Sequence, residues 1–160
     1  MSVHTISVFV ENHSGALSRI ANLFSSRGYN ISSLTVAETE DQTISRMTIV
    51  VEGDEQILEQ VVKQLNKLID VIKVLDFAGE DVIERELALI RVDATKSTRH
   101  EIVELSDIFG AKVAGVSPSS ITIELTSESK TVNDFIGMVK PYGIKELART
   151  GKVALAQARK

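Results

Sequence analysis

The sequence predicts an α+β protein made of two βαββαβ units in tandem. Three observations carry this. Apolar residues switch between alternation and helical spacing in the order strand, helix, strand, strand, helix, strand. The same order returns after residue 85, with little identity between the copies. Glycines, Gly28 and Gly110, stand just past two of the helix-spaced runs, where helices commonly end. The order is the ferredoxin-like pattern.

In the first unit, residues 3–11 alternate through Ile6, Val8 and Val10 and predict a strand. Leu17, Ile20, Ala21 and Phe24 recur at helical spacing, and Gly28 closes that helix. Residues 30–38 alternate again through Leu34 and Val36. Asp41-Gln42 marks a turn before a strand at 43–52 carrying Met47, Ile49 and Val51. Asp54 is suited to cap a second helix, with a core stripe of Leu58, Val61, Val62, Leu65, Leu68 and Ile69. Residues 71–78 supply the fourth strand.

The acidic stretch GEDVIERE reads as a linker over 79–85. A strand at 86–93 then precedes a helix at 98–109 with Ile102, Leu105 and Phe109. A strand near 112–117 turns at SPSS into another at 121–126. A helix at 128–140 carries Val132, Phe135, Ile136 and Val139, and a last strand spans 144–149. The expected domains are therefore 1–78 and 86–160. Each has about 80 residues, a size at which a core is marginal alone, so a homodimer is expected. The pairing would use an edge strand or the helix-free sheet face, which the alternation assigns to Ser7, Phe9, Ser33, Thr35, Thr48 and Val50.

Composition excludes several functions. Net charge is −4 and aromatics are 4%, which argues against nucleic-acid binding by charge or base stacking. No apolar run reaches the roughly 18 residues of a membrane span. The alternating N-terminus reads as a first strand and not a signal peptide. With no cysteine, disulfides and thiolate metal sites are excluded, and a cytoplasmic location is expected. His4, His13 and His100 are far apart and show no metal spacing, and there is no GxSxG, GxGxxG or P-loop. Neither a catalytic residue nor a metal ligand is predicted.

One stretch carries more chemistry than a connection needs. In VENHSGALSRIANLF a strand hands over to a helix through Asn12-His13-Ser14-Gly15. Ser14 or Asn12 is expected to cap the helix. A helix N-terminus offers unpaired N–H groups and partial positive charge, which suit a carboxylate. Gly15 lets a ligand approach the backbone, and the Asn12 amide both donates and accepts. A zwitterion could be held with no charged side chain. A second half is expected at RGYNISSL, where Asn30 begins an edge strand. If two units pair edge to edge, Asn30 of one chain faces the 12–15 loop of the other, with Leu17 and Ile31 as apolar neighbours. This predicts a small apolar amino acid bound between chains.

The segments ISVFVENHSGALSRIANLFSSRGYNISSLTV and SRMTIVVEGDE, with QLNKLIDVIKV after them, resemble the ACT domain of acetolactate synthase (acetohydroxyacid synthase) small subunits. ERELALIRV, HEIVELSDIFGAKV and ELARTGKVAL resemble the C-terminal domain of the same family. The resemblance implies a non-catalytic regulatory subunit. It implies that the chain binds and activates a large catalytic subunit and confers feedback inhibition by valine or another branched-chain amino acid. It also implies that thiamine diphosphate, magnesium and FAD belong to the catalytic subunit and none to this chain. Carried onto this sequence, the effector contacts fall on Asn12, Gly15, Ala16 and Leu17 of one chain and Asn30 and Ile31 of the other; no role falls on His13.

Two other readings compete. A stand-alone ACT-domain amino-acid sensor would control another enzyme, but the ELARTG-containing second half suits the small subunit. An acylphosphatase-like enzyme would need an arginine in the loop after the first strand, whereas Arg19 sits one turn into the helix.

Overall fold

The computed structural model describes residues 2–158. The first βαββαβ unit consists of β1 (Val3–Glu11), α1 (Ala16–Arg27), β2 (Asn30–Glu38), β3 (Ile44–Glu52), α2 (Glu55–Asn66) and β4 (Val71–Asp76). Its sheet is antiparallel, in the order β2-β3-β1-β4. That order leaves β2 and β4 as edges. One face is covered by α1 and α2, whose apolar stripes meet Ile6, Val8, Val10, Met47, Ile49 and Val51.

The stripe of α1 is rotated from the expected one. Ala16, Ile20 and Phe24 are buried, with Leu23 packed against the core, whereas Ala21 faces outward and Leu17 is 43% exposed. Burying Ile20 and Phe24 is worth about 1.5–3 kcal/mol each. The second helix follows its prediction more closely. Asp54 accepts a hydrogen bond from the Ile57 N–H at 2.9 Å, and Leu58, Val61 and Leu65 are buried. Because α2 stops at Asn66, Ile69 falls outside the stripe and is 89% exposed.

The second unit repeats the order. It runs through β5 (Val82–Asp93), α3 (Arg99–Phe109), β6 (Lys112–Val116), β7 (Ser120–Ser127), α4 (Ser129–Val139), a short 3-10 turn at Lys140–Tyr142 and β8 (Ile144–Arg149). Its sheet order is β6-β7-β5-β8. The helices cover Ala88, Ile90, Val92, Ile121, Ile123 and Leu125. Both units carry an irregularity at the same two places. One lies in the edge strand, between Ile31 and Ser33 or between Val113 and Gly115. The other lies near the end of the central strand, between Phe9 and Val10 or between Arg91 and Val92.

The boundaries differ from the expected ones in two ways. β5 begins at Val82, inside the stretch expected to be linker. The last residues form a strand that alternation did not reveal, β9 (Val153–Ala156). The compact units are Met1–Ile83 with Lys152–Lys160, and Glu84–Gly151. Residues 152–158 therefore cluster with the first unit, although β9 itself pairs with β5. Arg46 donates to the Ala154 carbonyl at 2.9 Å, the Lys152 N–H to Ser33 Oγ at 3.2 Å, and the Gln157 N–H to the Asp81 carbonyl at 2.8 Å.

This return changes the helix-free face. The register places Ser7, Phe9, Ser33, Thr35, Thr48 and Val50 there, as alternation predicts. Ser7, Thr48 and Val50 are buried, however, and Arg46 lies 4.9 Å from the Phe9 ring centroid while holding the C-terminal segment. This face is thus partly occupied by the chain's own C-terminal segment, while β2 and β4 remain the sheet's edges.

Removing residues 152–160 should strip part of that cover. We expect a chain ending at Gly151 to unfold at least about 5 °C lower in a thermal melt, since about 1 kcal/mol shifts a domain of this size by 4–8 °C. An unchanged melting temperature would show that the segment does not hold the first unit together.

Candidate functional site

β1 ends at Glu11, and the chain crosses to α1 in four residues. Two backbone bonds fix the exit: the Glu11 N–H donates to the Asp70 carbonyl at 2.9 Å and the Asn12 N–H to the Thr43 carbonyl at 2.7 Å. The residue capping α1 is Gly15, with φ 94° and no side-chain cap bond, and not Ser14 or Asn12. A positive φ is strained for residues with a Cβ, which explains the glycine. Without a side-chain cap, the first-turn N–H groups of α1 have no intrahelical acceptor; that of Ala16 donates to the His13 carbonyl at 3.3 Å, which leaves those of Leu17 and Ser18.

The Asn12 side chain is engaged elsewhere. Its Nδ2 donates to the Gln42 carbonyl at 2.8 Å and to Glu38 Oε1 at 3.1 Å. This ties the loop to the far end of β2. Between them lies a cleft of about 270 Å³ lined by residues that include Asn12, His13, Ala16, Leu17, Val36 and Glu38. Its apolar rim continues along the strand edge, where Val36 is 41% and Leu34 37% exposed. A cleft with backbone donors at one end and apolar side chains along its wall suits a short amphipathic ligand.

Within one chain, the structure brings Asn12, Ala16 and Leu17 together around this cleft, with Gly15 in the same turn. Asn30 and Ile31 are not among them. They open β2, opposite Glu52 and Val51, whereas the cleft sits at the Glu38 end of the strand. Asn30 donates to Glu52 Oε2 at 2.8 Å, and Ser32 to Glu52 Oε1 at 2.8 Å. Ile31 packs against its own core.

Residues 6–73 match the family described as AHAS small subunit-like ACT domain, and residues 85–158 match the small subunit of acetolactate synthase. The chain is 56% identical over 157 residues to a probable acetolactate synthase small subunit of Archaeoglobus fulgidus, covering 98% of each.

The chain belongs to the acetolactate synthase small subunit family.

An acetolactate synthase small subunit of Aquifex aeolicus is 51% identical over 153 residues, 95% of this chain and 80% of that one. The crystal structure of the small subunit from Thermotoga maritima superposes with a TM-score of 0.91 at 39% identity, over 100% of both chains. The ACT fold of the first unit and the tandem α+β architecture accord with these matches. No helix among the described residues is long and apolar enough to cross a membrane.

Behind the cleft lies a group that the sequence did not reveal. The Asp70 side chain, 4% exposed, is ion-paired through Oδ2 to Arg19 and through Oδ1 to His13 Nε2 at 2.7 Å. Glu11 Oε2 lies 3.5 Å from the same nitrogen. Glu11, His13 and Asp70 bring potential ligand atoms within 4.8 Å, but the Arg19 guanidinium already supplies a cation to Asp70, so the group reads as an ion-pair network. Arg19 is committed there and not to a phosphate-cradling loop.

The second unit shows what a family fold looks like without this equipment. The Asp93 N–H donates to the Gly143 carbonyl at 2.8 Å and the Ala94 N–H to the Ser119 carbonyl at 2.9 Å. These bonds mirror those of Glu11 and Asn12, so Ala94 stands where Asn12 does and Gly143 where Asp70 does. Ala94 is buried and offers no amide. The turn after it is closed on itself, with the Thr95 N–H donating to Thr98 Oγ1 at 2.9 Å and the Thr98 N–H to Thr95 Oγ1 at 3.2 Å.

Arg19 and then His13 hold the Asp70 carboxyl below its ordinary 3.8. The Ser14 carbonyl, with Asp70 and Glu11, holds His13 above its ordinary 6.5. The signs set a window. The Asp70 contribution is complete above 3.8 and is lost as pH falls through the lowered value. The His13 contribution is complete below 6.5 and is lost as pH rises through the raised value. Urea unfolding across pH should show both losses in the native chain. Asp70→Asn should lower the midpoint inside the window and flatten both slopes; a pH profile identical to the native one would refute the network's contribution.

Proposed function

We propose that this chain is the regulatory subunit of acetolactate synthase. In this reading it activates the catalytic large subunit in branched-chain amino-acid biosynthesis. It also confers feedback inhibition by valine, or by leucine or isoleucine, bound between two first units. It forms no product itself. The thiamine diphosphate, magnesium and FAD of the reaction belong to the large subunit, and with no cysteine to protect the chain suits a reducing cytoplasm.

The observation that carries the reading is the arrangement of two half-sites at opposite ends of a strand whose outer edge is free. Leu34 is the middle residue of β2. A two-fold axis near Leu34 would run two β2 strands antiparallel and join the sheets, as isologous pairing requires. Asn30 of the second copy would then lie beside Glu38, where the Asn12 side chain already sits. The effector's carboxylate meets the first-turn N–H groups of α1 and the Asn30 amide closes the site from across the interface. Leu17, Val36 and the adjoining edge receive the branched side chain. The second unit has neither amide nor open turn at the matching place, so the effector binds the first unit alone.

Sedimentation should therefore give a dimer at micromolar concentration. Leu34→Lys would bring two like charges together at the axis, a destabilising pair on a strand edge. It should give monomers that no longer bind valine; a stable dimer with native valine affinity would move the interface elsewhere.

Gly15 provides the sharper test of inhibition. Its φ of 94° means any side chain is strained by roughly 1–2 kcal/mol, but Asn and Asp tolerate the left-handed region best. An added Cβ would meet Arg19 only at ordinary contact distance, 3.7 Å. Gly15→Asn and Gly15→Asp thus share the backbone cost and differ in charge. In the complex reconstituted with the large subunit, both should activate, and the Asp variant should need at least about fivefold more valine for half-inhibition than the Asn variant, within the usual range of allosteric coupling. Equal valine sensitivity of the two would remove the carboxylate from this helix end.

A further inference from the structure

His13 has ring nitrogens that face only acceptors. Nδ1 lies 3.1 Å from the Ser14 carbonyl oxygen. Nε2 lies 2.7 Å from Asp70 Oδ1 and 3.5 Å from Glu11 Oε2. A neutral imidazole has one N–H and satisfies one of these directions; the imidazolium has two and satisfies both. The geometry therefore selects the cation.

What the cation holds in place matters. Asp70 is withdrawn from water and fixed on its other oxygen by Arg19 of α1. The His13 carbonyl accepts from the Ala16 N–H at 3.3 Å, so this residue also starts the first turn of the helix. Its side chain lines the cleft beside Asn12. The loop is thus held by Asn12 toward β2 and by His13 toward Asp70.

We propose that His13 is a proton-linked latch on the effector loop. As an imidazolium it pins the loop to Asp70, sets the first-turn N–H groups of α1 for a carboxylate and adds positive charge beside them; on losing its proton it gives up all three. A zwitterionic branched-chain amino acid then binds more tightly at mildly acid than at mildly alkaline pH. This rests on the reading of the cleft as the effector site.

The charged groups around the ring are Glu11 of β1, Asp70 ahead of β4, Arg19 of α1 and, across the cleft, Glu38 of β2. Glu11 and Asp70 favour the cation. Arg19 opposes it but is offset by Asp70, and Glu38 accepts from Asn12. By reciprocity, a ligand that prefers the imidazolium must also raise the pH at which His13 titrates.

Two measurements test this on the full chain. Calorimetry with L-valine, L-leucine and L-isoleucine at about pH 6 and about pH 8.5, the range in which histidine changes charge, should show at least about fivefold weaker binding at the higher pH. His13→Gln should bind equally at both, near the native alkaline affinity. NMR of the His13 ring should show titration above 6.5 without ligand, moving higher with saturating valine and back toward 6.5 in Asp70→Asn. Equal native affinity at both pH values, or the native pH dependence persisting in His13→Gln, overturns the latch and leaves the effector site standing. No binding of any of the three at either pH overturns the effector site, and the latch with it.

Discussion

A carboxylate removed from water must be paired, and Asp70 is such a carboxylate. Its two oxygens take Arg19 from the first turn of α1 and His13 from the loop before it. Its own carbonyl accepts from Glu11, the last residue of the central strand β1. One residue ahead of an edge strand therefore sets where β1 stops, how the loop leaves it and how α1 begins. All three elements contribute residues to the lining of the cleft, among them Glu11, His13 and Ala16. Truncating any partner of a withdrawn charge costs more than the contact it removes, since the others are left unpaired.

The two units show how one backbone accepts different contents. Their strand exits carry matching backbone bonds, at Glu11 and Asn12 in one and at Asp93 and Ala94 in the other. Their edge strands carry matching irregularities. What differs is a handful of side chains: an amide against a methyl, a carboxylate against a glycine, and a glycine at the helix start against a pair of bonded threonines. The fold supplies the opening at a helix end, and the residues there decide whether a ligand has anything to hold.

Most of the architecture was legible from spacing. The βαββαβ order, the face assigned to Ser7, Thr48 and Val50, and the Asp54 cap all follow from periodicity and local chemistry. The failures share a cause. The rotated stripe of α1 depends on where the helix starts, which Gly15 fixes through a φ that no local pattern reports. The helix-free face takes contacts from residues more than 100 positions away, as the 108-residue separation of Arg46 and Ala154 shows, and no local pattern reports them. The strand β9 is short and half exposed, with no alternation to betray it. In the candidate site, Asn12, Gly15 and Leu17 could be singled out because helix-end chemistry is local, while Ala16 came only from the family resemblance. Arg19, Asp70 and His13 could not be grouped, because 51 residues separate Arg19 from Asp70 and nothing in either stretch names the other.

The return of residues 152–158 to the first unit has a consequence for how the chain is made. Domains usually fold in the order in which they leave the ribosome. Here the unit that emerges first must wait. Its strands and helices are complete by Asp76, yet the partners of Arg46 and Ser33 are near the other end of the chain. Until they arrive, Arg46 and Ser33 lack these partners, and a nascent chain stalled in the second unit has a first unit that is assembled but not closed. Closure of the unit that bears the cleft thus depends on residues 152–158, and a chain stopped before them would lack the partners of Arg46 and Ser33.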